Sequence, residues 1–385
     1  MSARNFALAI QKFQNLQQFS FILRANNKLN EKGTEEIFTV LGKQTQIEVL
    51  QIVIEEENQF NDKQFNLVCD CFQYFKKLEH LLIKIGGFSQ LENQTEILGQ
   101  SLKKISALKS FYLKIGQSSQ FGQQGLAYLG EGLSMHQNLK QLSIQFGRKN
   151  FENGQGYIDF GKNLQKISQL EKFSLILDDS NQLEGQQMVE TFEAIGNQKN
   201  LKNLQIQINN NNEISKESGQ QLGKSMQNLQ QLEFLDIYLE KMNEQGKEIL
   251  SFISGGLKDK QNLQILNLKL GNSFLGQFYK KEKSLAIVVQ ENQLCGQKGA
   301  DQISQAIEGQ KKMIQNFQLQ MRQRGDFFNN ICGFLPLMKD FSTDAIDLQQ
   351  NQFGFGVKKQ IQNHLSDLFE TEQEFQDNFD DIDGF

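Results

Sequence analysis

One spacing constrains this chain more than any other feature: an apolar residue, two others, then apolar residues at alternate positions, returning about every 31 residues. It begins at Leu16 with Phe19, Phe21 and Leu23, and returns at Ile47 with Leu50, Ile52 and Ile54. Further copies start at Leu78, Leu108, Leu139, Leu170, Leu201, Leu232 and Leu263, so the step is 31 residues with one step of 30. Alternation is the period of a strand with one buried face. The cleanest copy is Leu108–Leu133, where Phe111, Leu113 and Ile115 are followed by Phe121, Gly125, Leu129 and Leu133, four apart as in a helix. Each unit therefore reads strand, loop, helix. Nine copies in register predict one continuous array, in which each unit packs mainly on its neighbours.

A second column keeps the same register. Eleven residues after each start stand Asn27, Asn58, Ser89, Ser119, Asn150, Asn181, Asn212 and Asn243. Such side chains hydrogen-bond turn backbone, so the column predicts a polar ladder between repeats. Glycines follow near one register, at Gly33, Gly125, Gly156, Gly185, Gly219 and Gly246, and are expected to provide the tight backbone where strand turns into helix. After Leu270 the period loosens. Leu285, Ile287 and Val289 arrive too soon for an intervening helix, which leaves two readings: a repeat that lost its helix, or an inserted hairpin. Gly325–Asp340, with Cys332 and Pro336, fits the pattern poorly, and a last copy is recovered from Ile346, Leu348, Asn351, Phe353, Ile361 and Leu365. The predicted organisation is thus a solenoid over 1–365, irregular near 271–290 and 325–340. Residues 366–385 follow as an acidic, Phe-containing segment without a basic residue, either a cap or a tail.

These residues together resemble the leucine-rich repeat superfamily, in its ribonuclease-inhibitor type. The resemblance rests on L-x-x-L-x-L, the Asn column, the apolar residue two positions beyond it, the glycine and the two later helix leucines, as in Leu129 and Leu133. It covers roughly Leu16 to Leu365. It implies an α/β solenoid, a horseshoe with parallel strands on the concave face and helices on the convex face. The family's commoner unit has about 28 or 29 residues. Here an extra apolar strand position, such as Ile115, and about three added residues lengthen it before the Asn column. Binding is a common role of such folds, and the fold names no ligand.

Composition narrows the function classes. Forty basic against 45 acidic residues give a net charge of -5, without the positive field that holds nucleic acid by its phosphates. No stretch approaches the ~18 apolar residues of a membrane span. The start of the chain does not complete a signal peptide, so an intracellular, cytoplasmic protein is expected. Cys69, Cys71, Cys295 and Cys332 form no spaced framework, and His80, His136 and His364 complete a poor inventory of metal ligands. The nearest approach to a phosphate loop, Gly219–Ser225, is one residue short, and its Leu222 falls on a helix core position. Neither a nucleophile elbow nor a zinc-protease motif occurs. The expectation is a non-enzyme with no cofactor, no metal and no small-molecule substrate.

What remains is the set of strand positions between core residues, which point to the other face because side chains alternate. One column reads Ser20, Gln51, Leu82, Tyr112, Ser143, Ser174, Gln205, Asp236 and Asn267. Its neighbour reads Ile22, Val53, Lys84, Lys114, Gln145, Ile176, Gln207, Tyr238 and Lys269. Lys84, Tyr112 and Lys114, with Gln145 beside them, are predicted to meet as a partner-binding patch. Asp236, Tyr238 and Glu240 form a patch of opposite charge, with Lys269 next to it. The leading expectation is a scaffold or adaptor that binds a protein partner through the concave face. Two alternatives stand beside it. One is a regulator that activates the GTPase Ran, since some proteins of the resembled type have acidic C-termini and that activity. The other is a structural subunit of a cytoskeletal or ciliary assembly.

Overall fold

The structure is a computed structural model. It describes residues 3–270 apart from 28, 57, 59, 90, 92–94, 152–153, 182, 184, 210–211, 213, 240–245, 258–259, 261 and 264, and four strands beyond. Nine strands alternate with nine helices over the first part. The strands are β1 (Gln18–Leu23), β2 (Val49–Ile54), β3 (His80–Ile85), β4 (Ser110–Ile115), β5 (Gln141–Phe146), β6 (Lys172–Leu177), β7 (Asn203–Ile208), β8 (Phe234–Leu239) and β9 (Ile265–Leu270). A helix α1 (Ala3–Ile10) precedes them. The others lie between strands: α2 (Glu31–Leu41), α3 (Asp62–Asp70), α4 (Thr95–Lys103), α5 (Gly122–Leu133), α6 (Gln155–Leu164), α7 (Val189–Gly196), α8 (Lys216–Asn228) and α9 (Gly246–Leu257).

Neighbouring strands pair in parallel from β1 to β9, in sequence order and in one register. Phe111, for example, pairs with Leu81 on one side and Leu142 on the other. This is the repeat register written in hydrogen bonds. Crossovers between parallel strands are right-handed, so a sequential strand order places every helix on one side of the sheet. Consecutive helices pack against each other there. Between the layers Leu113, Ile115, Leu129 and Leu133 are fully buried, as are Ile83, Ile85, Leu98 and Leu102 of the preceding repeat. Each such side chain contributes about 1.5–3 kcal/mol by leaving water.

After β9 the direction reverses. Strand β10 (Phe274–Tyr279) runs antiparallel to both β9 and β11 (Ser284–Gln290), while β12 (Asn316–Arg322) and β13 (Ala345–Asp347) continue in parallel with β11. Of the two readings open for this stretch, the backbone has the inserted strand of a hairpin. The irregular stretch 325–340 and the segment 366–385 lie outside the described residues.

The ladder forms where the Asn and Ser column stands. The Asn150 amide donates to Asn181 Oδ1 at 2.9 Å, and the Asn181 amide to Asn212 Oδ1 at 3.0 Å. Ser119 N donates to Asn150 Oδ1 at 3.2 Å, and Asn27 N to Asn58 Oδ1 at 3.0 Å. Each Asn amide group then turns back: Asn181 Nδ2 reaches Gly147 O at 3.0 Å and Asp178 O at 2.7 Å. One side chain thereby serves backbone groups of two repeats, its own and the preceding one, which the layered core would otherwise leave without water or partner. Asn243 lies outside the described residues.

The glycines serve a different purpose from the one expected. Gly33, Gly125, Gly156 and Gly219 lie inside their helices, and none has positive φ. They admit close neighbours instead. A Cβ on Gly156 would stand 2.4 Å from Gln123 O of the preceding helix, and one on Gly219 would stand 2.5 Å from Ile249 of the next. The pattern extends to Gly99 against Tyr128 O at 2.4 Å, Gly161 against Thr191 N at 2.4 Å, and Gly223 against Phe252 O at 2.5 Å. The left-handed turn is borne by the residue before the polar ladder: Asn26, Phe88, Ser118, Lys149 and Ser180 all have φ between 52° and 61°.

Candidate binding face

Because the helices occupy one side, the other side of β1–β9 is covered by no described element. Strand burial alternates accordingly. In β4 the core residues Phe111, Leu113 and Ile115 are buried, while Ser110, Tyr112 and Lys114 are half-buried on the open side. Parallel pairing in register turns each outward position into a row across the sheet. Lys84 is the direct partner of Lys114, and Leu82 of Tyr112. Lys114 in turn faces Gln145, and Tyr112 faces Ser143. The structure therefore brings Lys84, Tyr112, Lys114 and Gln145 onto adjoining positions of three strands.

The two lysines are unequal electrostatically. Strand spacing of about 4.8 Å sets like charges side by side, which disfavours the pairing unless an anion intervenes. Lys114 has Asp178 within its field. Burial raises the Asp178 carboxyl above its ordinary range, Lys114 and Arg148 pull it back down, and neighbouring Asp179 pushes it up. Asn209 Nδ2 also donates to Asp178 Oδ1 at 3.1 Å, and Arg148 pairs with Asp179 at 2.9 Å. Lys84 forms no ion pair among the described residues. The nearby Glu55 is engaged elsewhere, accepting from Ala25 N at 3.2 Å. Tyr112 has its phenol pKa raised by burial and stays a neutral, amphipathic ring at physiological pH.

Further along, a hydrogen-bond row crosses β6, β7 and β8. Ser174 Oγ donates to Gln205 Oε1 at 2.8 Å, and Gln205 Nε2 donates to Asp236 Oδ2 at 3.0 Å. Burial raises the Asp236 pKa and the Gln205 hydrogen bond lowers it in part. Tyr238 is half-buried on the same strand, with Gln207 as its partner on β7. Lys269 is the backbone partner of Tyr238 on β9; its side chain, and Glu240, lie outside the described residues. The lysine patch and the acidic patch thus occupy different strands of one face.

Two participants carry no repeat signal. Asp178 follows β6 at a position where β3, β4 and β5 are followed by Gly86, Gly116 and Gly147. Those glycines are required by crowding, since a Cβ on Gly116 would lie 2.2 Å from Gly87 N. Phe88 is the other: it is 68 % exposed and left-handed at φ 61°. Its amide donates to Gln117 O at 2.7 Å, which fixes it on the rim of the two repeats that carry Lys84 and Lys114.

The remaining candidates have structural surroundings. Cys69 and Cys71 are buried free thiols, their pKa values raised first by burial, and Cys71 Sγ donates to Val68 O at 2.9 Å. Buried thiols of this kind behave as small apolar groups. His136 is buried with Nε2 3.1 Å from Leu102 O, and burial lowers its pKa. Gly219–Ser225 lies within α8, capped by Ser215 accepting from Ser218 N at 3.2 Å, and Leu222 and Met226 are in the core. Among the described residues no group of three His, Cys, Asp or Glu stands ready to hold a metal, and no helix is long and apolar enough to cross a membrane. Neither the models of known families nor the curated proteins compared with this chain match it.

Proposed function

We propose that this chain is a leucine-rich repeat protein of the ribonuclease-inhibitor type, and that it serves as a non-catalytic scaffold binding a protein partner through the open, concave face of its sheet. The observation that carries this reading is the juxtaposition of Lys84, Tyr112 and Lys114 on that face, with the Lys84 charge unmatched among the described residues. Cationic and aromatic side chains on a rigid sheet make good anchors: the ring contributes contact area at low entropic cost, and the charges steer encounter. The register supports the family assignment as well. A polar ladder at one position per repeat and parallel strands in sequence order are what the resemblance implies.

The test is the triple variant Lys84→Ala, Tyr112→Ala, Lys114→Ala in the full chain. All three side chains face away from the core, so circular dichroism and thermal unfolding should change little. Recovery of partners by tagged purification and mass spectrometry at endogenous expression should fall about tenfold or more, the effect of losing one or two anchors of roughly 1.4 kcal/mol or above. Full recovery of every partner removes this face from the interaction.

A further inference from the structure

The same face points to a ligand within the chain itself. Residues 366–385 hold eight carboxylates, no basic residue, and Phe369, Phe375, Phe379 and Phe385. The β3–β4 region offers the complement: two lysines side by side, one of them without a described counter-charge, with Tyr112 on the strand of Lys114 and the exposed Phe88 in the turn that follows β3. Phe88 is also held in a left-handed backbone that costs a bulky residue free energy, at a turn position where other repeats have Asn, Ser or Lys. The β6–β8 part of the face is less suited to acid. Asp178, Asp179 and Asp236 occupy the β6–β8 part, and their charges would turn an acidic segment back toward β3 and β4. Reach is sufficient: β4 and β13 stand nine strands apart, about 43 Å at strand spacing, and the chain that follows Asp347 can extend by about 3.3 Å per residue, roughly 125 Å to Phe385.

We propose that the acidic segment 366–385 docks in cis on the open face at β3–β4, placing carboxylates between Lys84 and Lys114 and phenyl rings against Tyr112 and Phe88. It thereby competes with the outside partner, and so rests on the reading of this face as the binding face. An outside partner that displaces the segment must itself present acidic and aromatic side chains.

Zero-length carbodiimide cross-linking of the full chain tests this, with peptide mapping of the monomer and dimer bands. Lys84 and Lys114 should join carboxylates of 366–385 in the monomer band. Lys140 to Glu171, 2.8 Å apart, serves as the internal standard. Replacing the eight carboxylates by amides should abolish those products. It should also raise acetylation of Lys84 and Lys114 at least threefold while leaving Lys140 unchanged. Absence of the cross-links, or unchanged acetylation, overturns the docking. Cross-links confined to the dimer band overturn it too, and assign the face to a second copy. If the docking fails while the Lys84, Tyr112, Lys114 variant still loses its partner, the binding-face reading survives without it; if both fail, the face itself is wrong.

Discussion

Replacing Asn181 by Leu tests whether the ladder holds the repeats together. Asn181 Oδ1 is the acceptor for the Asn150 amide, and its Nδ2 serves Gly147 O and Asp178 O. The losses are unequal. Gly147 O keeps a bond from Asn150 Nδ2 at 2.8 Å, and Asp178 O keeps one from Asn212 Nδ2 at 2.9 Å. The buried Asn150 N–H is the group left with nothing, at about 1–3 kcal/mol, and each weakened carbonyl adds about 0.5–1.5. Asn181→Leu should therefore cost about 2–6 kcal/mol. Asn181→Ser should cost only about 1, because a hydroxyl already fills this role at Ser119, accepting from Ser89 N at 3.4 Å and donating to Gly86 O at 3.2 Å. Asn181→Asp adds a sign. Its carboxylate would face two carbonyls in a buried site, so its folded pKa would rise above the unfolded value. Stability would then be fullest below about pH 4 and decline as pH rises through the raised folded value. Hydrogen exchange of the peptide containing Asn150 is the direct assay, since local opening is read without assuming two-state unfolding of an array. About 2 kcal/mol or more corresponds to exchange roughly 30-fold faster or above. Unchanged protection of Asn150 in the Leu variant, or Leu and Ser variants of equal stability, refutes the reasoning.

Two further outcomes follow from contacts described above. Gly99→Ala should destabilise the array by about 1–3 kcal/mol although alanine favours helices, because its Cβ would meet Tyr128 O at 2.4 Å; Gly255→Ala, with nothing within 4 Å, should stabilise it by up to about 1 kcal/mol, and thermal unfolding of the pair reads the opposite signs. Asp236 has a raised folded pKa, so its contribution is present below the unfolded value and is lost as pH rises through the folded one; Asp236→Asn should raise the melting temperature at pH 7 and lose that advantage near pH 3.

The strands were legible because a fixed pairing register repeats the same demand on each chain segment. Leu50, Leu81, Phe111 and Leu142 occupy equivalent places, so the spacing of one predicts the next. The polar ladder was legible for the same reason: Asn150 and Asn181 each bond the Asn of the next repeat in the same way. Glycine roles were not, since a glycine at constant register satisfies a turn or a close approach equally well in sequence. Only the position of the neighbouring helix backbone decides, as Gln123 O does for Gly156. The left-handed column has no signature in sequence because Asn26, Phe88, Ser118, Lys149 and Ser180 share a backbone angle and no side-chain chemistry. At the candidate site the row Lys84, Lys114, Gln145 followed from register alone. The influence of Asp178 on Lys114 did not, because the residues are two strands apart and off the shared row.

The glycines between helices have a geometric consequence for the sheet they never touch. Strands repeat at about 4.8 Å, while helices ordinarily repeat at about 8–10 Å, in a layer roughly 10 Å away. At those spacings a strand–helix unit would be a wedge, of about 30° at the wide helix spacing and about 18° at the narrow one. From α4 to α9, every helix pair has a glycine where a methyl group would collide: Gly99, Gly156, Gly161, Gly196 and Gly223. This selects the narrow wedge. Summed over eight steps the difference between the two spacings would be roughly a quarter-turn, so small residues in the helix layer bear on how far the sheet opposite can bend.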